Sequence, residues 1–181
     1  MSDKENNFKE KFKQALISTA KVISDDLFVE KKNEKNTLNN FDIIKIEDLN
    51  NKNDFIRSRA DMDSAALEKK FSNNSIYEKN LPQNTIYKSL YKISEKIRYE
   101  IVSSKMLKGI EKNFKDNYQI NINNNKNKEN EIKNREDTNV EQAFEFYMLK
   151  KFFKSDMNNY SNKVLSYWEK DFDKCISDHI D

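Results

Sequence analysis

The chain has 181 residues, which suits one ordinary domain and leaves no room for two large ones. Hydrophobic residues make up 36% and charged residues 35%, and the net charge of +2 gives no argument for nucleic-acid or anionic-membrane binding. Cys175 is the only cysteine, which excludes a disulfide-stapled secreted protein, and no apolar run reaches the ~18–20 residues that span a bilayer.

The first apolar pattern predicts a helix over residues 6–24. Its apolar residues recur at spacings of three and four, which places them on one helical face: Phe8, Phe12, Ala15, Leu16, Thr19, Ala20 and Ile23. The polar residues that precede this helix contain no secretion signal. Together with the single thiol, they indicate a cytoplasmic protein.

Short runs rich in β-branched and aromatic residues follow, at 27–29 and 41–46. They predict a small two-stranded β ribbon near residues 27–46. A second helix is then expected over 61–71. Asp61 or Asp63 would be its N-cap, because a carboxylate accepts hydrogen bonds from the free amides of a first helical turn.

The strongest pattern predicts a long helix over residues 84–118, with Pro82 at its first turn, where the missing amide hydrogen has no cost. The apolar stripe of this helix comprises Ile86, Leu90, Ile93, Ile97, Ile101, Met106, Ile110 and Phe114. A helix of this length would be central to the fold, or it would bend near Gly109, the only glycine in the chain.

Residues 121–139 are polar and rich in Asn and Lys, so we expect a mobile loop there. Two helices are predicted beyond it, over 140–153 and 157–175, each with an aromatic stripe. The expected fold is therefore all-α, with about five helices and the β ribbon. A helical core would span 1–120, and the two last helices, within 140–181, would pack on the same domain.

The residue types exclude several chemistries. A Walker A loop or a dinucleotide-binding fingerprint needs more than one glycine. Cys175 and His179, the only residues of their kinds, cannot close a tetrahedral zinc site and make a poor nucleophile pair. Carboxylate pairs such as Glu95 with Glu100 are expected by chance in so acidic a chain. Lysines interleaved with aromatic residues are typical of amphipathic helices with solvated charges.

A charged motif begins at Arg57, before the second predicted helix, and continues into the long helix. It contains Arg57 with Ser58, Asp61 followed by Ala66 and Leu67, then Pro82, Glu95, Arg98, Glu100, Met106, Gly109 and Asn113. In this order and spacing the chain resembles the N-terminal helical region of CobT, a subunit of the aerobic, ATP-dependent cobaltochelatase. The only proline and the only glycine both fall on family positions. The Val164–Trp168 segment resembles a further family segment.

The chain departs from the family pattern at two places. A His-Asp pair of the family would fall at Ser72 and Asn73, and a further family histidine at Tyr77. The acidic tract and the von Willebrand-type domain with its metal-dependent adhesion site have no counterpart, because no Asp-x-Ser-x-Ser run is present. The sequence leaves open whether that half is a separate chain, was cut away or has been lost.

The resemblance implies a docking or scaffold part of a complex that inserts cobalt into hydrogenobyrinic acid a,c-diamide during cobalamin biosynthesis. Its partners would be an AAA+ ATPase subunit and a large corrin-binding subunit, with ring-type assembly by analogy. ATP, magnesium and cobalt would be handled by the complex. In this chain we expect no catalytic residue, no metal ligand and no bound cofactor.

Six motif residues could either form structural pairs within the fold or contact a partner: Arg57, Arg59, Asp61, Glu95, Arg98 and Glu100. Pro82, Met106, Gly109, Asn113 and Trp168 are expected to be structural.

Two other functions are alternatives to the scaffold role. An enzyme that itself binds corrin or cobalt would need more imidazole or thiolate than one His and one Cys supply. An adaptor of an AAA+ ATPase could act outside cobalamin synthesis.

Overall fold

The computed structural model describes residues 3–24, 49, 51–107 and 109–176. These residues are arranged as helices with no strand among them, so the all-α prediction is confirmed. The predicted β ribbon near residues 27–46 lies outside the described residues. None of the described helices is both long enough and apolar enough to cross a membrane.

Seven α-helices and three short helical segments occur in the described part of the chain. In order they are α1 (Asp3–Ile23), α2 (Lys52–Phe71), α3 (Asn74–Asn80), α4 (Thr85–Met106) and α5 (Ile110–Asn124), 3₁₀ helices at Lys126–Glu131 and Arg135–Asp137, α6 (Val140–Met148), a π-helical turn at Leu149–Phe153, and α7 (Asn159–Ile176).

Helix α1 packs along α2, as the stripe over residues 6–24 requires. Leu16 and Ala20 are fully buried against Met62 and Ala66 of α2. This pair of helices forms a small apolar cluster beside the main core.

The predicted second helix begins nine residues earlier than the pattern indicated. Asn51 caps α2: its side chain accepts hydrogen bonds from the amides of Asn53 and Asp54, at 2.9 and 3.2 Å. The Asp54 carboxylate accepts from the amide of Asn51 in return, at 3.1 Å, which completes a capping box. The assignment of Asp61 or Asp63 as the N-cap was therefore wrong, since both lie in the middle of α2.

The predicted long helix is two helices, so the alternative of a bend near Gly109 is the correct one. Gly109 has φ 95°, in the left-handed region that a side chain disfavours, and it precedes the first residue of α5. Helix α4 starts after its N-cap Asn84, whose side chain accepts from the amides of Ile86 and Tyr87. Pro82 lies before this cap, not in the first turn as predicted.

The Asn- and Lys-rich segment 121–139 contains the end of α5 and both 3₁₀ helices, where a loop was expected. Ile122 and Ile132 are buried in the main core, at 0% and 3% exposure. The side chain of Asn158 donates to the carbonyl of Ile122, at 2.7 Å, and the ammonium of Lys163 donates to the carbonyl of Glu129, at 3.2 Å. The composition of the segment indicated a loop, because composition carries no information about contacts with distant residues such as Asn158 and Lys163. The mobility of the segment stays a prediction.

The main core lies between α2, α4, α5, α6 and α7, and aromatic rings fill it. Phe153, at the end of the π-helical turn, packs against the rings of Phe114 and Tyr118, with centroids at 6.3 and 5.4 Å. Phe172 of α7 meets Phe144 at 5.3 Å. The predicted helix over 140–153 is present as α6 and its π-helical continuation. Helix α3 was not predicted.

Candidate functional site

Most of the charged motif residues lie where α2, α4 and α5 meet. Ser64 of α2 contacts Glu100 of α4, whereas Ser72, farther along α2, contacts Glu95, which comes earlier on α4. Residue numbers therefore rise on one helix as they fall on the other, so the two helices are antiparallel. Polar groups at successive levels of this seam hold the helices together, and we treat the seam and the cleft beside it as the candidate functional site.

The level nearest α5 is centred on Asp63, which is 1% exposed. Its carboxylate accepts two hydrogen bonds from Nε of Arg59, at 3.2 and 3.3 Å, and one from Nδ2 of Asn113, at 2.9 Å. Arg59 and Asn113 are motif residues, and this contact gives both of them a structural role. Sequence reasoning missed Asp63 as their partner, although its position one turn after Arg59 allowed the pairing.

The middle level is centred on Glu100, which is also 1% exposed. Its Oε1 accepts a hydrogen bond from the hydroxyl of Ser64, at 2.7 Å, and its Oε2 accepts one from the hydroxyl of Tyr118, at 2.5 Å. Burial raises the pKa of Glu100, against the opposing effects of Lys96 and these two hydroxyl groups. Glu100 thus joins α2, α4 and α5 through one carboxyl group.

The third level lies at the C-terminal end of α2. Arg98 donates two hydrogen bonds to the carboxylate of Glu95, at 2.6 and 2.7 Å, and a third to the backbone carbonyl of Phe71, at 2.8 Å. The hydroxyl of Ser72 also donates to Glu95, at 2.8 Å. The hydrogen bonds from Arg98 lower the pKa of Glu95, although partial burial opposes them. Glu95 and Arg98 therefore pair on one face of α4, and the pair joins α4 to the end of α2.

A cleft of about 580 Å³ opens beside this seam, between α2, α3, α4 and α6. Four helices each contribute one carboxylate to its lining, α4 adds two ammonium groups, and the phenol groups come from α3 and α4: Glu68, Glu78, Glu95, Glu145, Lys92, Lys96, Tyr77 and Tyr99. Burial raises the pKa of Glu145, and Lys96 opposes that shift. Ser72 and Tyr77, the positions where the resemblance places histidines, also line this cleft.

Three motif residues lie apart from the seam network, on the surface. Arg57 and Asp61 are exposed on α2, and Met106 is 62% exposed at the end of α4. The described residues offer none of the three a hydrogen bond or an ion pair. Burial raises the pKa of the Asp61 carboxyl group, and Lys96 and Arg57 act on it only through their charge, which opposes that shift.

Trp168, a motif residue of α7, anchors the segment before α6. Its indole Nε1 donates to the hydroxyl of Thr138, at 2.7 Å, and the guanidinium carbon of Arg135 lies 3.7 Å from the centre of its ring. Arg135 also pairs with Asp171 of α7, at 2.8 Å. These contacts join the second 3₁₀ helix to α7, and the structural role of Trp168 stays a prediction.

The described residues contain no group of three or more His, Cys, Asp or Glu that could hold a metal ion. What the seam can do chemically is limited by its contacts. Its carboxylates are already engaged by hydroxyl, amide or guanidinium donors from neighbouring helices. The arrangement is suited to holding three helices in a fixed relation, and the exposed motif residues are suited to contact.

Comparison with known proteins agrees with the resemblance read from the motif. The family model described as cobalamin biosynthesis protein CobT matches residues 6–181. No curated protein and no solved structure matches the chain. The family match covers nearly the whole sequence, so the chain belongs to the CobT family, and this membership assigns it to cobalamin biosynthesis.

Proposed function

We propose that this CobT-family chain is a docking and scaffold part of an ATP-dependent cobaltochelatase complex. The complex would insert cobalt into hydrogenobyrinic acid a,c-diamide. One observation carries the proposal beyond family membership. Glu100 and Asn113 bond to side chains of α2, Glu95 and Arg98 bond to the end of α2, and Arg59 bonds to Asp63 within α2. The side chains of these motif residues therefore hold the fold together and do not converge on a substrate.

In this proposal the chemistry belongs to the partners. An AAA+ ATPase subunit would bind ATP and magnesium, and a large subunit would bind the corrin ring and receive the cobalt. The present chain would supply a rigid helical surface to them. Long helices with charged rims and isolated apolar anchors are typical of protein interfaces, and the exposed residues Met106, Arg57 and Asp61 supply an apolar anchor and two charges.

The exposed motif residue Arg57 provides a direct test. We expect Arg57→Glu to weaken binding of the AAA+ subunit at least about tenfold, because a desolvated charge that meets its own sign across an interface costs more than the lost attraction. The measurement is titration calorimetry with purified ATPase subunit. The melting temperature should fall only slightly, because Arg57 makes no hydrogen bond or ion pair within the described residues and the substitution replaces only its attraction to Asp61 by a repulsion.

Lys170→Glu is the matched control, since it makes the same charge change at an exposed position of α7. It should bind the ATPase subunit as the unaltered chain does. Equal weakening by both substitutions would show a general charge effect and would remove Arg57 from the docking surface. Failure of the unaltered chain to bind the ATPase subunit would contradict the docking role itself.

A further inference from the structure

Glu100 is the most enclosed carboxyl group of the seam that lacks a directly bonded cation. Asp63 has Arg59 and Glu95 has Arg98, whereas both oxygens of Glu100 face hydroxyl groups. Enclosing a carboxylate without a bonded cation has a large desolvation cost, and taking up a proton removes most of that cost. The geometry therefore distinguishes Glu100 from the other carboxylates of the seam.

Burial favours the neutral form of Glu100, and the groups around it offset this effect only in part. Ser64 faces it from α2, Tyr118 from α5 and Glu145 from α6, while Tyr99 and Lys96 lie on its own helix. Glu145 repels a charge on Glu100. Lys96 is the one cation that these contacts supply, and its ammonium lies 5.5 Å from the centre of the Tyr118 ring.

That ammonium is also shared. Lys96 stabilises the charged forms of Asp61 and Glu145 as well as that of Glu100, and of the three only Asp61 has a second cation, Arg57, so two positive charges serve three carboxyl groups. The described contacts thus leave an excess of negative charge when all three groups are ionised. Binding of a proton from solvent to the most enclosed of the three groups removes this excess negative charge at the lowest cost in free energy.

We propose that Glu100 is a proton-dependent lock on the junction of α2, α4 and α5. The lock holds the three helices together while the carboxyl group carries a proton, and it loosens when that proton returns to solvent. This inference concerns the fold, and it stands whether or not the chelatase role is correct.

The sign of the pH dependence follows from the enclosure. A carboxyl group whose pKa is raised in the folded chain contributes stability that is complete below its ordinary pKa and is lost as the pH rises through the raised value. Carboxyl groups with lowered pKa, such as Glu95, Asp137 and Asp173, act in the opposite direction and at more acidic pH. Loosening between about pH 5 and pH 8 therefore belongs to groups of the raised kind.

The test measures urea unfolding from pH 5 to pH 8 in chains that carry Glu145→Gln, which removes the second enclosed carboxyl group. In this background the equilibrium constant for unfolding should rise with pH. The rise should approach tenfold per pH unit over the range in which Glu100 loses its proton. Adding Glu100→Gln should abolish that rise. Parallel pH profiles with and without Glu100→Gln would overturn the lock. Groups that titrate elsewhere contribute equally to both chains and cancel.

A second variant keeps the test decisive if the double substitution does not fold. Tyr118→Phe removes a hydrogen bond that favours ionised Glu100, so the pH at which α5 amides begin to lose their protection from hydrogen exchange should move upward. Tyr160→Phe is the matched control, because its hydroxyl donates to a neutral amide oxygen of Gln142, at 2.7 Å. An unchanged midpoint in Tyr118→Phe, or an equal shift in both variants, would contradict the proposal.

Discussion

Phe153→Ala is expected to lower the free energy of unfolding by about 3–5 kcal/mol. Phe153 is 1% exposed, and its ring fills the space between those of Phe114 and Tyr118. Removing the ring leaves a cavity that the surrounding helices cannot fill without breaking the seam at Tyr118. For a chain of this length the melting temperature should fall by roughly 6–20 °C.

Phe8→Ala is the control for this prediction, because the same atoms are removed from a side chain that is 59% exposed. It should cost about 1 kcal/mol or less, mostly from the contact of its ring with Phe55. Chemical denaturation of both variants measures the difference. Similar losses for the two would mean that the aromatic core described here does not hold the helices together.

Asp63→Ala is expected to lower the free energy of unfolding by about 2–3 kcal/mol, because three hydrogen bonds to a buried carboxylate are lost. Asn113 would keep a donor with no acceptor at the junction of α2 and α5. Arg59 would lose less, since its side chain is 40% exposed and can return to water. The loss should therefore come mainly from the contact between helices.

Asp116→Ala is the matched control, on the exposed side of α5, and should change stability by less than about 0.5 kcal/mol. Asp63→Asn retains the shape of the side chain and should fall between the two. Urea unfolding of the three variants provides the comparison. If Asp63→Ala costs no more than Asp116→Ala, the motif residues do not fasten the helices.

Periodicity predicted those helices whose buried faces are apolar. Helices α1 and α7, and α6 with its π-helical turn, were found within a few residues of their ends because their stripes carry branched or aromatic side chains. The first half of α2 was missed because residues 52–60 contain only three apolar residues, Phe55, Ile56 and Ala60, and only Ala60 is buried.

The seam could be predicted only in part. The spacing of Glu95 and Arg98 on one helix indicated their pairing, because residues three apart share a helical face. The bonds of Ser64 to Glu100 and of Asn113 to Asp63 join residues 36 and 50 positions apart. No local pattern records such contacts, since they depend on how the helices pack. Family resemblance identified most of these residues but not their partners.

The break between α4 and α5 shows how a single residue decides between two predicted shapes. The apolar stripe continues past Gly109, so the pattern alone favours one long helix. The left-handed backbone at Gly109 lets the chain turn and brings Asn113 and Tyr118 back toward α2 and Glu100. The bend therefore creates the junction on which the seam depends.

The most direct test of the scaffold function is cobalt insertion in a reconstituted mixture. Purified large subunit and AAA+ ATPase subunit would be supplied with ATP, magnesium, cobalt and hydrogenobyrinic acid a,c-diamide, and formation of the cobalt corrin followed by its visible absorption. We predict that insertion requires this chain and that Arg57→Glu slows it while Lys170→Glu does not. Insertion at the same rate without the chain would contradict the account.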